Sequence, residues 1–205
     1  MRLIIAMLSV LGLAIDAALV QSNSQCIQPS VRDELAERVQ IDQELRLKPE
    51  AAQPTHAKHR ELWVKIHGID ERNTKWLRGI VNKYGWPGKA LVGERGAHNA
   101  WLLVQHADRD RKFQRRCLQL MVDQPKDEVS RVDIAYLTDR LLVADGKPQR
   151  FGTQAKIVDG KAEISDTEDP KNLDKRRLSH GLIPMKEYVR ALDSLVQGED
   201  TVGGG

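Results

Sequence analysis

Between Ala97 and Asp108 the chain reads AHNAWLLVQHAD, an apolar stretch of helical length broken from within by His98, Gln105 and His106. A stretch of this kind belongs in a core, and burial obliges its polar groups to find partners. A second polar cluster, Asp139-Arg140 and then Gln149, Thr153 and Gln154, follows further along the chain. Two readings of the clusters stay open at this level: a shared site, or a shared buried network.

Helical periodicity dominates the rest. Ser30 and Asp33 form a capping-box-like Ser-x-x-Asp, and Val31, Leu35, Val39 and Leu45 recur at helical spacing to about Leu47. Pro49 and Pro54 end that helix, with a loop from Glu50 to Thr55. A second helix is predicted near His56 to His67, closed by Gly68. Asp70 or Asn73 then caps a third, carrying Trp76, Leu77, Ile80 and Val81, before the turn Gly85-Trp86-Pro87-Gly88. The fourth helix runs from Glu94 or Ala97 to about Ala107. Asp108 is typed to cap a fifth, from Arg109 to Val122, and a sixth carries Val132, Ala135, Tyr136 and Leu142. Asp159-Gly160 joins Arg150 to Val158 and Lys161 to Ile164 as a short hairpin. Ser165 to Arg177 reads as a loop, and a last helix runs from Pro184 to about Val196. The predicted fold is mainly α: a single-domain helical bundle over residues 30–197, with a small β-hairpin near the C-terminal third.

The ends point to export. Met1-Arg2 followed by the apolar run Leu3 to Ile15 is the layout of a secretory signal peptide, here residues 1–22 with cleavage after Ser22 or earlier at Ala17 or Ala18. Asp16 interrupts the run before the roughly 20 apolar residues a membrane-spanning helix needs. The expected product is secreted or periplasmic, without a membrane span after cleavage, with a short N-terminal segment over 23–29 and a disordered tail over 198–205. Charge is nearly balanced, 32 basic against 29 acidic residues, which argues against a nucleic-acid partner. The densest basic run, Arg109 to Arg116, is partly neutralised and falls at helical spacing, as a solvated helix face does. Two readings apply to the two cysteines. Cys26 and Cys117 could pair in an oxidising compartment, or Cys117 could lie on the buried stripe of Phe113, Leu120 and Met121 as a small apolar residue.

Several residues could carry chemistry. On a regular helix His98, Leu102, Gln105 and Arg109 fall within about 40° of one another, with His106 about 80° to one side. The two histidines therefore share no tight metal-binding face, and no metal or other cofactor is expected. His106 sits at the expected helix end, where the dipole and nearby Asp108 favour an imidazolium. Arg140 can grip a carboxylate or phosphate in two-point fashion, or simply lock Asp139 in place. There is no nucleophile elbow and no phosphate-cradling glycine loop. Trp63, Trp76 and Trp101 fall at helical core positions and read as packing.

Taken together, Asp42-Gln43-x-x-Arg46, Asp70-x-x-Asn73, Tyr84-Gly85-Trp86-Pro87, Gln105-His106-x-Asp108, Leu137-Thr138-Asp139-Arg140 and Gly152-Thr153-Gln154 resemble a bacterial family known only as a domain of unknown function. The resemblance spans about residues 30 to 190. It implies a single domain, common on exported or cell-envelope proteins, whose shared positions are mostly polar, and it brings no established activity. Phe151 stands where a tyrosine is more usual in that family. The resulting expectation is a hydrolase-like enzyme. His106 is its acid/base, Asp108 or Asp139 orients it, and Gln105, Arg140, Gln149, Thr153, Gln154 and His98 hold a polar substrate. The alternatives are a non-catalytic module binding a polar ligand or an envelope partner, and a purely structural polar network.

Overall fold

A computed structural model of the chain describes residues 26–53, 55–158 and 161–197. The expected signal peptide, the start of the 23–29 segment, the Asp159-Gly160 turn and the 198–205 tail lie outside the described residues. Those described group into two compact units, 26–133 and 134–197.

The first unit is helical. α1 (Pro29–Arg46) starts with a proline at its first turn, where the missing N–H costs nothing and φ is preset. Its buried face is Val31, Leu35 and then Asp42, a carboxylate on the apolar stripe. The loop expected after Pro49 begins instead as one helical turn, α2 (Pro49–Ala52). α3 (His59–Tyr84) is a single 26-residue helix. Gly68 does not end it, and neither Asp70 nor Asn73 caps a new one. Leu62, Ile66, Ile69, Asn73, Leu77 and Val81 form one unbroken buried stripe, and its burial outweighs the roughly 1 kcal/mol that an internal glycine costs. The turn at Gly85 to Gly88 follows as expected, with the Gly85 N–H donating to the Val81 carbonyl.

α4 (Lys89–Gln105) starts earlier than the sequence suggested, because Gly93 adopts φ 76° and kinks the helix, so that a first turn precedes the buried run. From Gly96 onward nearly every residue is buried, as the apolar stretch required. α1 packs on α4 and α3, and α3 packs on α4. α5 (Arg111–Val122) is capped by Asp110, whose Oδ1 accepts the Phe113 N–H at 3.0 Å. The cap expected at Asp108 is thus two residues later. Phe113, Gln114, Cys117 and Met121 face inward, and Lys112, Arg115 and Arg116 face solvent. Both cysteines are free thiols. Cys117 is the buried apolar residue of the second reading, while Cys26 Sγ accepts from Arg32 Nη1 at 3.7 Å.

α6 (Arg131–Ala144) begins at the end of the first unit and lies mostly in the second. β1 (Ala155–Val158) and β2 (Lys161–Ile164) pair antiparallel, with Ala155 opposite Ile164 and Val158 opposite Lys161. The hairpin is shorter than predicted, because the backbone before Ala155 bonds elsewhere. The segment expected to be a loop to Arg177 contains a 3-10 turn at Pro170–Asn172 and α7 (Leu173–Ser179), whose Leu173 and Arg177 are buried one turn apart. α8 (Met185–Gln197) packs against β2 and α7. Among the described residues no helix is long and apolar enough to cross a membrane.

Candidate functional site

Three of the sequence motifs converge in the first unit. Asp42 and Arg46 stand one turn apart on α1, Asp70 projects from the middle of α3, and His106 is the residue that ends α4. Arg46 Nε donates to Asp42 Oδ1 at 2.9 Å, and its Nη2 meets Asp70 Oδ1 in a close ion pair. Gln43 Nε2 donates to Asp42 Oδ2 at 2.8 Å. On the other side of the same oxygen, His106 Nδ1 lies 3.0 Å away. That approach is out of hydrogen-bond alignment, and the buried Nδ1 makes no hydrogen bond. The Asp42 and His106 side chains are 1% and 3% exposed, whereas Asp70 and Arg46, at 13% and 18%, form the edge nearest solvent. A groove between α1 and α3 is lined by Ile41, Leu45, Val64, Gly68 and Ile69 with the charged Glu44, Lys65 and Arg72, and none of the four residues of the centre lines it.

Electrostatics separate the two carboxylates. Burial penalises the charged form of Asp42, but His106 and Arg46 more than offset this and hold its carboxyl down at about 2. At Asp70 burial prevails over Arg46 and His106, and neighbouring Asp42 adds to it, so its carboxyl is pushed up. Paired carboxylates with opposite shifts are a recurrent feature of working sites, although ion-pair networks produce them too. One ligand atom each from Asp42, Asp70 and His106 lies within 4.8 Å of the others. No such set was legible beforehand, because the spacing of His98 and His106 was the wrong test. The set that forms takes one histidine from α4 and its carboxylates from two other helices.

The remaining candidates of this unit are placed differently. Asp108 is exposed and accepts from Arg111 at 3.0 Å and Gln114 at 3.3 Å, so the carboxylate beside His106 is Asp42. His98 is half-exposed, stacks on Trp101 with ring centroids 4.9 Å apart, and meets the buried Asp133 at 3.3 Å. Gln105 is buried, and its Oε1 has no hydrogen-bond partner. Gln43 Oε1 and Asn73 Nδ2 are orphaned in the same way. Gln114 escaped the sequence reading. Fully buried, it shares its amide N–H groups among the Val104 and Gln105 carbonyls and Asp108. It thereby fixes the end of α4 from which His106 projects. Its signal was a polar residue beside Phe113 on the α5 stripe.

In the second unit Asp139 gathers the loop at 150–153. Its carboxylate accepts the N–H groups of Arg150 (2.7 Å), Phe151 (3.0 Å) and Thr153 (2.9 Å), together with the Thr153 hydroxyl (3.0 Å). Even so, burial pushes this carboxyl up, with those donors opposing. Gln149 Oε1 accepts the Gln154 N–H at 2.7 Å, while its Nε2 donates to the Gln154 and Ser165 carbonyls. Gln154 Nε2 donates to Thr153 Oγ1 at 3.1 Å. Arg177 Nη1 donates to the Phe151 carbonyl at 2.6 Å and Nε to that of Ile183 at 2.7 Å, and Tyr188 donates its hydroxyl to the Thr153 carbonyl at 2.7 Å. Arg140 is buried as well. Asp139, Gln149, Thr153 and Gln154 therefore form a densely bonded loop scaffold, in which neither Arg177 nor Tyr188 had been foreseen.

Residues 29–198 match the model of a family of unknown function, DUF6624. No curated protein and no solved structure matches the chain.

Proposed function

The chain belongs to that family of unknown function, and from this premise we propose that it is an exported, hydrolase-like enzyme whose working centre is Asp42, Arg46, Asp70 and His106. One observation carries the reading: a buried imidazole and a buried carboxylate face each other at 3.0 Å without an aligned hydrogen bond between them. Buried polar atoms are normally paired, and a set left short of partners marks a place where a substrate, an ion or water completes the bonding. Asp42 stands against the imidazole at 3.0 Å, the carboxylate–histidine pairing that general acid/base chemistry on water draws on. Arg46 and Asp70, at the exposed edge, are where a polar substrate meets the centre. Export is supported by the Met1 to Ile15 pattern of one cation followed by an apolar run.

The test is turnover by the purified chain on chromogenic ester, phosphoester and peptide substrates, compared with His106→Gln. Activity in the parent and its loss in a variant with unchanged circular dichroism is the expected result. Turnover that survives both His106→Gln and Asp42→Asn would remove this centre from the chemistry. A second reading, a binding module for a polar ligand or envelope partner, is favoured by the orphaned Gln43 Oε1, Asn73 Nδ2 and Gln105 Oε1. Such a module holds its ligand at the same centre without turning it over.

A further inference from the structure

The donor atoms of the centre are arranged for a cation as well as for one another. Arg46 commits its nitrogens to the Oδ1 atoms of both carboxylates, Nε on Asp42 and Nη2 on Asp70. Asp42 Oδ2 is thereby turned toward His106 Nδ1, which is buried and hydrogen-bonded to nothing. Two donors bound at about 2.1 Å to one ion lie about 3.4 Å apart at the tetrahedral angle and about 3.0 Å apart when that angle closes toward about 90°. The observed 3.0 Å is thus the separation of neighbouring ligands. Asp70 supplies the third donor of a set that spans no more than 4.8 Å.

We propose that Asp42, Asp70 and His106 bind one divalent transition-metal ion, with Arg46 holding the two carboxylates in place from outside. With a neutral imidazole, two carboxylates and one guanidinium leave the centre one negative charge, which favours a dication. The imidazole nitrogen selects an ion such as zinc, iron or nickel over calcium or magnesium. Three protein ligands leave a coordination position open for water. The inference rests on reading this centre as the working one, and it names the group that activates the water there.

Zinc is the probe. The full chain, stripped with a chelator and titrated with Zn²⁺ against a chromogenic competitor, is expected to take up one equivalent at the centre. Asp70→Asn, at the solvent edge and checked by near-ultraviolet circular dichroism, is expected to weaken uptake at least about 100-fold, the upper end of what removing a merely orienting partner costs. His98→Gln, beside Asp133, is expected to leave it unchanged. Absence of uptake, or uptake indifferent to Asp70→Asn, would overturn the proposal. So would a parent melting temperature that zinc fails to raise, a readout that needs no variant. Hydrolysis by the stripped chain without zinc uptake would sink the metal and leave the enzyme standing. Zinc uptake without hydrolysis of any substrate would do the reverse.

Discussion

Replacing Asp42 by asparagine tests the electrostatics of the centre directly. The carboxyl is held at about 2 against an ordinary 3.8, and its side chain is 1% exposed. A depressed folded-state pKa contributes stability that is fully present above the ordinary value and is lost as pH falls through the folded value. The gap of 1.8 units, 3.8 less 2, corresponds to about 2.4 kcal/mol. By the same linkage about 1 kcal/mol of this is gone at pH 3 and about 2 kcal/mol at pH 2. Asparagine keeps the shape and titrates nowhere. The difference in unfolding free energy between parent and Asp42→Asn should therefore shrink by about 1 kcal/mol between pH 5 and pH 3. Asp70, shifted the other way, gains stability as it protonates, but it is present in both proteins and largely cancels. The assay is urea unfolding followed by tryptophan fluorescence at each pH, with chelator throughout. A difference that stays constant, or that widens on acidification, would show that His106 and Arg46 do not stabilise the charged form.

Asp139→Asn puts an N–H-bearing group where three backbone N–H donors and a hydroxyl converge, and is expected to cost about 3 kcal/mol in urea unfolding, with less than about 1 contradicting the scaffold role. Gly68→Ala should stabilise by about 0.5–1 kcal/mol, since the added methyl meets only Arg72 Nη1 at 3.5 Å; a loss of melting temperature would mean that α3 breaks there. Burial pushes the Cys117 thiol up to about 12, so a charged thiol reagent followed by mass spectrometry should label Cys26 in the native chain and Cys117 only after unfolding.

How much of this was legible follows from the range of each signal. The periodicity of Val31 and Leu35, or of Phe113, Cys117 and Met121, is local, and those helices stand where the sequence placed them. Gly68 misled because a local breaker was weighed without the stripe that continues past it on both sides. His106 was legible from the burial its neighbours impose, and its partner was not. Asp42 lies well before it in sequence and stands out only within the Asp42-Gln43-x-x-Arg46 motif, with no partner assigned, until α1 turns it inward on the same stripe as Leu35. Asp70, read as a cap, became a partner of Arg46 once α3 ran through it. Asp108 had the right residue type and the wrong direction, since α5 took its cap from Asp110.

The loop at 150–153 carries one more consequence. Asp139 reads its N–H groups, while Arg177 and Tyr188 read its carbonyls, so an anion and two donors grip the main chain from its opposite polarities. The course of the segment is thereby written in atoms every residue possesses. Two of its residues still matter to that course: Thr153, whose hydroxyl donates to Asp139, and Gly152, where φ is 65° and an added Cβ would run into Met185. Phe151 is buried against His180, ring centroids 4.5 Å apart, so an exchange there is felt in packing while the main-chain bonds that set the path are untouched.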